Sequence, residues 1–200
     1  MIALVDYGAG NLTSVRKGFA AAGADLYNPG APGDLDAATA IVVPGVGHFS
    51  ATAVLAERWR TAIRRRVDAG APLLGICLGM QWLYEGSDEA PDVPGLAIIA
   101  GRCTRIVAER PLKVPHVGWN ALERTKDSRL LEGVAPGAHV YFTHTFAAPL
   151  TAETTVRVTH GAAFAAVVER DRVFGVQFHP EKSADAGLRI LRNFVQLARR

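Results

Sequence analysis

Leu73-Leu74-Gly75-Ile76-Cys77-Leu78-Gly79-Met80-Gln81 is a short apolar run that meets a cysteine set between glycines and then continues as a helix. Leu73 to Ile76 has the length of a buried strand, and Leu78, Met80, Gln81 and Leu83 open the helix. Small residues at 75 and 79 permit a strained strand-to-helix turn that pushes Cys77 out beyond the sheet, the pattern of a nucleophile elbow with sulfur in place of oxygen. The helix N-terminus favours the thiolate, which is the nucleophilic form. The Leu78 amide next to it is positioned to donate to an oxyanion. On these residues alone, a buried structural cysteine with glycines serving helix packing reads equally well. Cys103 lacks any such frame and reads as structural.

Outward from this turn the same rhythm recurs. Ile2 to Asp6 is a short apolar run ending in Tyr7-Gly8-Ala9-Gly10-Asn11, followed by Leu12, Val15, Phe19 and Ala22 at helical spacing. Ala40 to Val43 is another buried strand, closed by Pro44-Gly45-Val46-Gly47. After it come Leu55, Trp59, Ala62, Ile63 and Val67, again at helical spacing. Strands alternating with helices require a parallel sheet covered on both faces, because a parallel pair needs a long crossover and helices supply it. After about residue 95 the rhythm changes. Ala97 to Ala100, Cys103 to Val107, Val140 to Phe142, Thr154 to Thr159, Phe164 to Val168 and Val173 to Phe178 read as strands with short turns. Leu188, Leu191, Phe194, Val195 and Ala198 mark an amphipathic closing helix. The expected fold is α/β: one domain over residues 1–200, a mostly parallel open sheet flanked by helices, with a strand-rich, partly antiparallel second half.

Composition bounds the function. The chain of 200 residues is 49% hydrophobic and 20% charged, ordinary for a globular domain with a sizeable core. No apolar run approaches the roughly 20 residues of a membrane span, and the N-terminus has no basic segment leading into an apolar one, so a cytoplasmic protein is expected. Two cysteines in a reducing compartment are expected as thiols. The pI near 9.1 accompanies a net charge of only +3. The densest basic cluster, Arg58, Arg60, Arg64, Arg65 and Arg66, falls on the helix that follows Leu55 and reads as one solvated face, not as a nucleic-acid footprint.

A thiolate needs an acid–base partner, and there are six histidines. His179 stands apart because it follows the strand Val173 to Phe178, and strand C-termini of an open sheet are the usual place for a site. Residues two apart in extended chain face one side, so His179 and Glu181 project together with Pro180 stiffening the turn between them. Glu181 would fix the imidazole tautomer while His179 exchanges protons with the thiol and the leaving group. A helix start with proline in its first turn is the plainer reading of the same residues. The loop Pro44 to Gly47 follows the neighbouring strand, and an amide near Val46 or Gly47 is a candidate second oxyanion donor beside Leu78. A plain turn is the alternative.

Gly75-Ile76-Cys77-Leu78-Gly79-Met80-Gln81 together with Val176-Gln177-Phe178-His179-Pro180-Glu181-Lys182-Ser183 closely resembles the class I glutamine amidotransferase family. Asp6 to Leu12, Pro44 to Gly47, Pro115-His116-Val117-Gly118-Trp119-Asn120 and Tyr141-Phe142-Thr143-His144-Thr145 narrow the resemblance, essentially end to end, to the glutaminase subunits of imidazole glycerol phosphate synthases. The resemblance implies a catalytic triad at Cys77, His179 and Glu181, an oxyanion loop at Val46 and Gly47, and glutamine contacts at Gln81 and Glu89. It implies no metal or organic cofactor. It also implies that ammonia passes into a (β/α)-barrel cyclase partner, with L-glutamine as the substrate of this chain. Asn11, Trp119, Asn120, Tyr141 and Lys182 match family positions at or near that subunit interface. Trp119 suits an interface anchor, though a core aromatic is the alternative. Val117 stands where many relatives are expected to carry methionine. His116 and His144 lack a carboxylate at triad spacing and read as structural. The competing functions are a glutaminase subunit for another acceptor pathway, a stand-alone cysteine hydrolase, and a non-catalytic module that retains the fold.

Overall fold

A computed structural model describes residues 1–109 and 111–199. Eight strands form one sheet in the spatial order Leu26–Tyr27, Ile2–Leu4, Ala40–Val43, Leu73–Ile76, Val173–Val176, Ala162–Arg170, Thr154–His160, Glu123–Arg124. The first five run parallel and the remaining three are antiparallel. Val173–Val176, from late in the chain, lies directly beside Leu73–Ile76 with Val176 opposite Ile76. The residues that follow, Cys77 and Gln177, therefore leave the same edge of the sheet side by side.

Alternation along each central strand splits the core in two. Leu4, Val42, Leu74, Ile76, Phe174 and Val176 pack with Val15, Phe19, Ile190 and Phe194 of the helices Leu12–Ala21 and Ala184–Arg199. Ala3, Val5, Ile41, Val43 and Leu73 face the other way, against Ile63 of the helix Glu57–Asp68 and Met80 and Trp82 of the short helix Leu78–Trp82. That short helix lies almost on the sheet. A Cβ on Gly75 would stand 2.6 Å from the Gly79 carbonyl oxygen, and one on Gly79 only 1.8 Å from that of Val43. Both positions require glycine for close approach rather than for freedom of the backbone.

Several expectations change on contact with the fold. Ala97 to Ala100 form no strand, because the amides of Ala97, Ile98 and Ile99 donate to the carbonyls of Tyr84 and Leu83, at the end of the short helix. Their apolar character reflects burial, since Ile99 is fully enclosed. Cys103 lies in Arg102–Arg105, part of a small separate sheet with Gly86–Ser87 and Phe146–Ala147. His116–Ala121 is a strand that the sequence pattern did not reveal, since Gly118 and Asn120 are poor strand formers. It pairs antiparallel with His139–His144 in a two-stranded ribbon. The arginine-bearing helix is not simply a solvated face. Arg60, Arg64 and Arg66 donate to the carbonyls of Gly95, Leu96 and Ala38, and Arg65 pairs with Asp36, so most of the cluster fastens the helix to adjoining loops. Among the described residues, no helix is long and apolar enough to cross a membrane.

Candidate active site

Cys77 adopts φ 54° and ψ −108°, a left-handed conformation that costs a residue with a Cβ of order 1–3 kcal/mol. Two hydrogen bonds hold it there: its amide donates to the Val176 carbonyl at 2.8 Å, and its carbonyl accepts from Gln81 N at 3.1 Å. The strand thus stops against its parallel neighbour and the helix begins one residue later, with the side chain only 5% exposed at the turn.

The loop Pro44 to Gly47 packs tightly over this elbow. A Cβ on Gly45 would sit 2.0 Å from the Tyr7 hydroxyl and 2.8 Å from Leu78 Cβ. In this conformation the Leu78 amide donates to the Gly45 carbonyl at 3.3 Å, and the Val46 amide donates to Ala9 O at 3.2 Å. Two of the three expected oxyanion donors are therefore already engaged within the protein. Gly47, with φ 100°, lines the cleft beside them.

His179 is 2% exposed and its Nδ1 lies 2.9 Å from Glu181 Oε1. The pair is fixed from behind. His179 N donates to Tyr141 O at 2.9 Å, Ser183 Oγ donates to His179 O at 2.6 Å, and Tyr141 N donates to Ser183 Oγ at 2.9 Å. Burial alone would depress the imidazole's pKa, but the Cys77 sulfur and the Glu181 carboxylate outweigh it and push the value up to about 10. Nε2, the nitrogen not used by Glu181, is buried and makes no hydrogen bond of normal geometry. The Cys77 influence is thus a matter of proximity rather than of an aligned bond. A protonated imidazole held next to a sulfur is the arrangement required to protonate a leaving amine.

A cleft of about 360 Å³ opens at this edge, lined by Cys77, Gln81, Glu89, Val46, Gly47 and His144 among others. Gln81 is buried, its Nε2 donating to Phe146 O at 2.8 Å and to Gln177 Oε1 at 3.0 Å. Glu89 accepts from the Phe49 amide at 2.8 Å through Oε2, which leaves a second carboxylate oxygen for a cationic group. A larger depression of about 530 Å³, lined by Arg64, Arg170 and Arg172, lies where Val173–Val176 begins, at the opposite end of the strands from Cys77. It contains no nucleophile, and its three guanidinium groups are spent on backbone carbonyls.

His144 and His116 are not merely packed. His144 Nδ1 lies 2.8 Å from Phe146 O and its Nε2 lies 3.1 Å from His116 Nδ1. A carbonyl only accepts, so His144 carries its proton on Nδ1 and His116 donates to it. Burial first, then neighbouring imidazoles, lower His144 to about 3 and His116 to about 4. Both are neutral at ordinary pH.

Of the residues expected at an interface, Trp119 is 53% exposed and is therefore no core aromatic, with its ring edge-on to Tyr141 at 6.1 Å. Lys182 Nζ stands 5.9 Å from the Tyr141 ring centre, and Val117 shows 58% of its surface. Asn11 caps the helix Leu12–Ala21 by accepting from Ser14 N at 3.2 Å. Asn120 is turned partly inward, donating to Thr159 O at 3.1 Å and to His116 Nε2 at 3.4 Å. Gln177 was not expected at the site, yet its Nε2 lies 3.6 Å from Cys77 Sγ. The chain between His179 and Glu181 is not extended: Pro180–Lys182 is a single turn of 3₁₀ helix with proline at its start, so the helix-start reading holds for the backbone, and Glu181 reaches His179 Nδ1 across that turn rather than by strand alternation.

Comparison with known proteins agrees with this architecture. The family described as "Glutamine amidotransferase class-I" matches residues 3–197. The chain is 44% identical over 200 residues, covering 100% of both sequences, to "Imidazole glycerol phosphate synthase subunit HisH" of Methanothermobacter thermautotrophicus. It is 49% identical to the protein of the same name from Gloeobacter violaceus, covering 98% of this chain and 89% of that one. Among solved structures it resembles "Crystal structure of glutamine amidotransferase", with a TM-score of 0.77, 21% identity and full coverage of both chains. It also resembles "Structure of PurLQS from Thermotoga maritima", with a TM-score of 0.74, 16% identity and coverage of 98% and 97%. Those two likenesses concern the fold alone, but similarity of sequence across nearly every residue does more, and by it this chain belongs to the class-I glutamine amidotransferase family.

Proposed function

We propose that this chain is the glutaminase subunit of an imidazole glycerol phosphate synthase, working in the cytoplasm for histidine biosynthesis. It hydrolyses L-glutamine to glutamate and delivers the ammonia to a (β/α)-barrel cyclase subunit. The observation that carries the reading is a cysteine on a strained elbow beside a buried His179–Glu181 pair at 2.9 Å, in a chain similar end to end to proteins of that name. Cys77 attacks the side-chain amide of glutamine, His179 protonates the departing ammonia, and water releases glutamate from the thioester. Glu181 holds the imidazole tautomer and stabilises its cation. Glu89 and Gln81 line the same cleft and suit the ammonium and other polar groups of the amino acid. Val117, Trp119, Tyr141 and Lys182 form a partly apolar, exposed face suited to the cyclase subunit.

The engaged oxyanion donors give this reading its regulation. Leu78 N is bonded to Gly45 O and Val46 N to Ala9 O, so neither of these two amides is free in the lone chain for a developing negative charge. Losing one such donor costs about 3 kcal/mol of transition-state stabilisation. Docking against the segment Asp6 to Leu12, which contains both Ala9 and the exposed Asn11, would loosen the Ala9–Val46 contact and free the loop. Glutamate release is expected to rise at least about a hundredfold when the cyclase subunit carrying its ligand is added. Equal rates for the chain alone and in the liganded complex would remove the proposal of partner activation.

A further inference from the structure

Gln177 is completely enclosed, at the end of a central strand, where an amide side chain is costly unless its polar atoms are paired. Its orientation follows from a single fixed acceptor. The Phe146 carbonyl oxygen cannot donate, so the Gln81 group 2.8 Å from it must be the NH2. The second proton of that NH2 goes to Gln177 at 3.0 Å, which therefore presents its oxygen to Gln81. The Gln177 NH2 is left facing Cys77 Sγ at 3.6 Å. His144 Nδ1, donating to the same carbonyl at 2.8 Å, holds Phe146 O in place.

We propose that Gln177 is a hydrogen-bond donor to the Cys77 sulfur that stabilises its thiolate, and that Gln81 is a positioning residue that keeps the Gln177 amide from turning its oxygen to the sulfur. The inference rests on Cys77 being the nucleophile. A bridging role alone would be satisfied by the Gln81 contact; the NH2 aimed at sulfur exceeds it. A donor to the charged form favours that form, whereas an amide oxygen in the same place would repel it. Gln81 thus has a duty besides lining the cleft, exercised before any substrate arrives.

The test is the rate of Cys77 alkylation by iodoacetamide as a function of pH, on the full chain without glutamine or partner. Adduct sites are assigned by mass spectrometry so that Cys103 is not counted. Gln177→Glu keeps an acceptor for Gln81 but replaces the donor by a carboxylate. It should move the alkylation midpoint to higher pH and slow the reaction at neutral pH about tenfold or more. Gln177→Leu removes the donor without burying a charge and serves if the first variant does not fold; its midpoint should rise by less. Gln81→Leu should shift the profile in the same direction, which a purely substrate-binding role for Gln81 would not do. Alkylation profiles of the Gln177 variants superimposable on the unsubstituted chain would overturn the proposal. Failure of the unsubstituted chain to release glutamate in the liganded complex would instead strike at the glutaminase reading and leave this comparison of sulfur reactivity standing.

Discussion

His179 and His144 are both buried, both lie near the end of a strand, and both stand close to Cys77, yet their proton affinities are driven in opposite directions. His179 has a carboxylate at 2.9 Å and a sulfur nearby, and its pKa rises to about 10. His144 has a carbonyl and another imidazole, and its pKa falls to about 3. Burial penalises the cation in both, so burial does not distinguish them. What distinguishes them is whether an anion shares the enclosure. One imidazole keeps its proton at ordinary pH, while the other is a neutral, directional link between carbonyl and imidazole.

Substitution at His179 and at His144 should affect turnover very unequally. His179→Ala is expected to reduce glutamate release in the liganded complex on the order of 10⁴-fold, whereas His144→Gln, which keeps an amide donor within reach of Phe146 O, should cost far less. Similar losses in steady-state assays would mean that the two histidines do not divide the labour in this way. A narrower test removes only the anion. Glu181→Gln should lower the His179 pKa from about 10 toward its ordinary 6.5, followed by NMR titration of the imidazole, and should slow glutamate release about a hundredfold. An unmoved titration would deny Glu181 its effect on the ring.

The smallest effect concerns stability against pH. His179, with a folded-state pKa raised above 6.5, contributes stability that is fully present below that value and is lost as pH rises toward about 10. For His144 and His116 the folded values of about 3 and 4 lie below 6.5, so the unfolded chain takes up protons first and stability falls as pH drops from 6.5 toward those values. His144→Gln should flatten the acid limb of Tm against pH while leaving the alkaline limb unchanged. An acid limb of unchanged slope would show that His144 does not carry it.

How much of this was legible beforehand depends on the range of the interaction. Strands and helices of the first half follow from local periodicity, and the elbow follows from a cysteine between glycines at a strand end. The closeness of His179 and Glu181 follows from their two-residue spacing, but the backbone that joins them is a 3₁₀ turn begun by Pro180 and not the extended chain the spacing was read on. Ala97 to Ala100 misled because burial and strand pairing leave the same apolar signature. The ribbon strand His116–Ala121 hid behind weak strand formers and is held by its partner His139–His144 rather than by propensity.

The linear order of residues therefore determined the turn that carries Cys77, the nearness of His179 and Glu181 across Pro180, and the layered α/β plan. Only the tertiary structure decided that Val173–Val176 returns to lie beside Leu73–Ile76, which brings Gln177 to a cysteine 100 positions earlier. It also decided that the Leu78 and Val46 amides are occupied, and that Trp119 faces outward. The reason is that strand order in a parallel sheet, and the partner each buried polar group finds, are settled by which distant surfaces exclude water together, a quantity that no local pattern encodes.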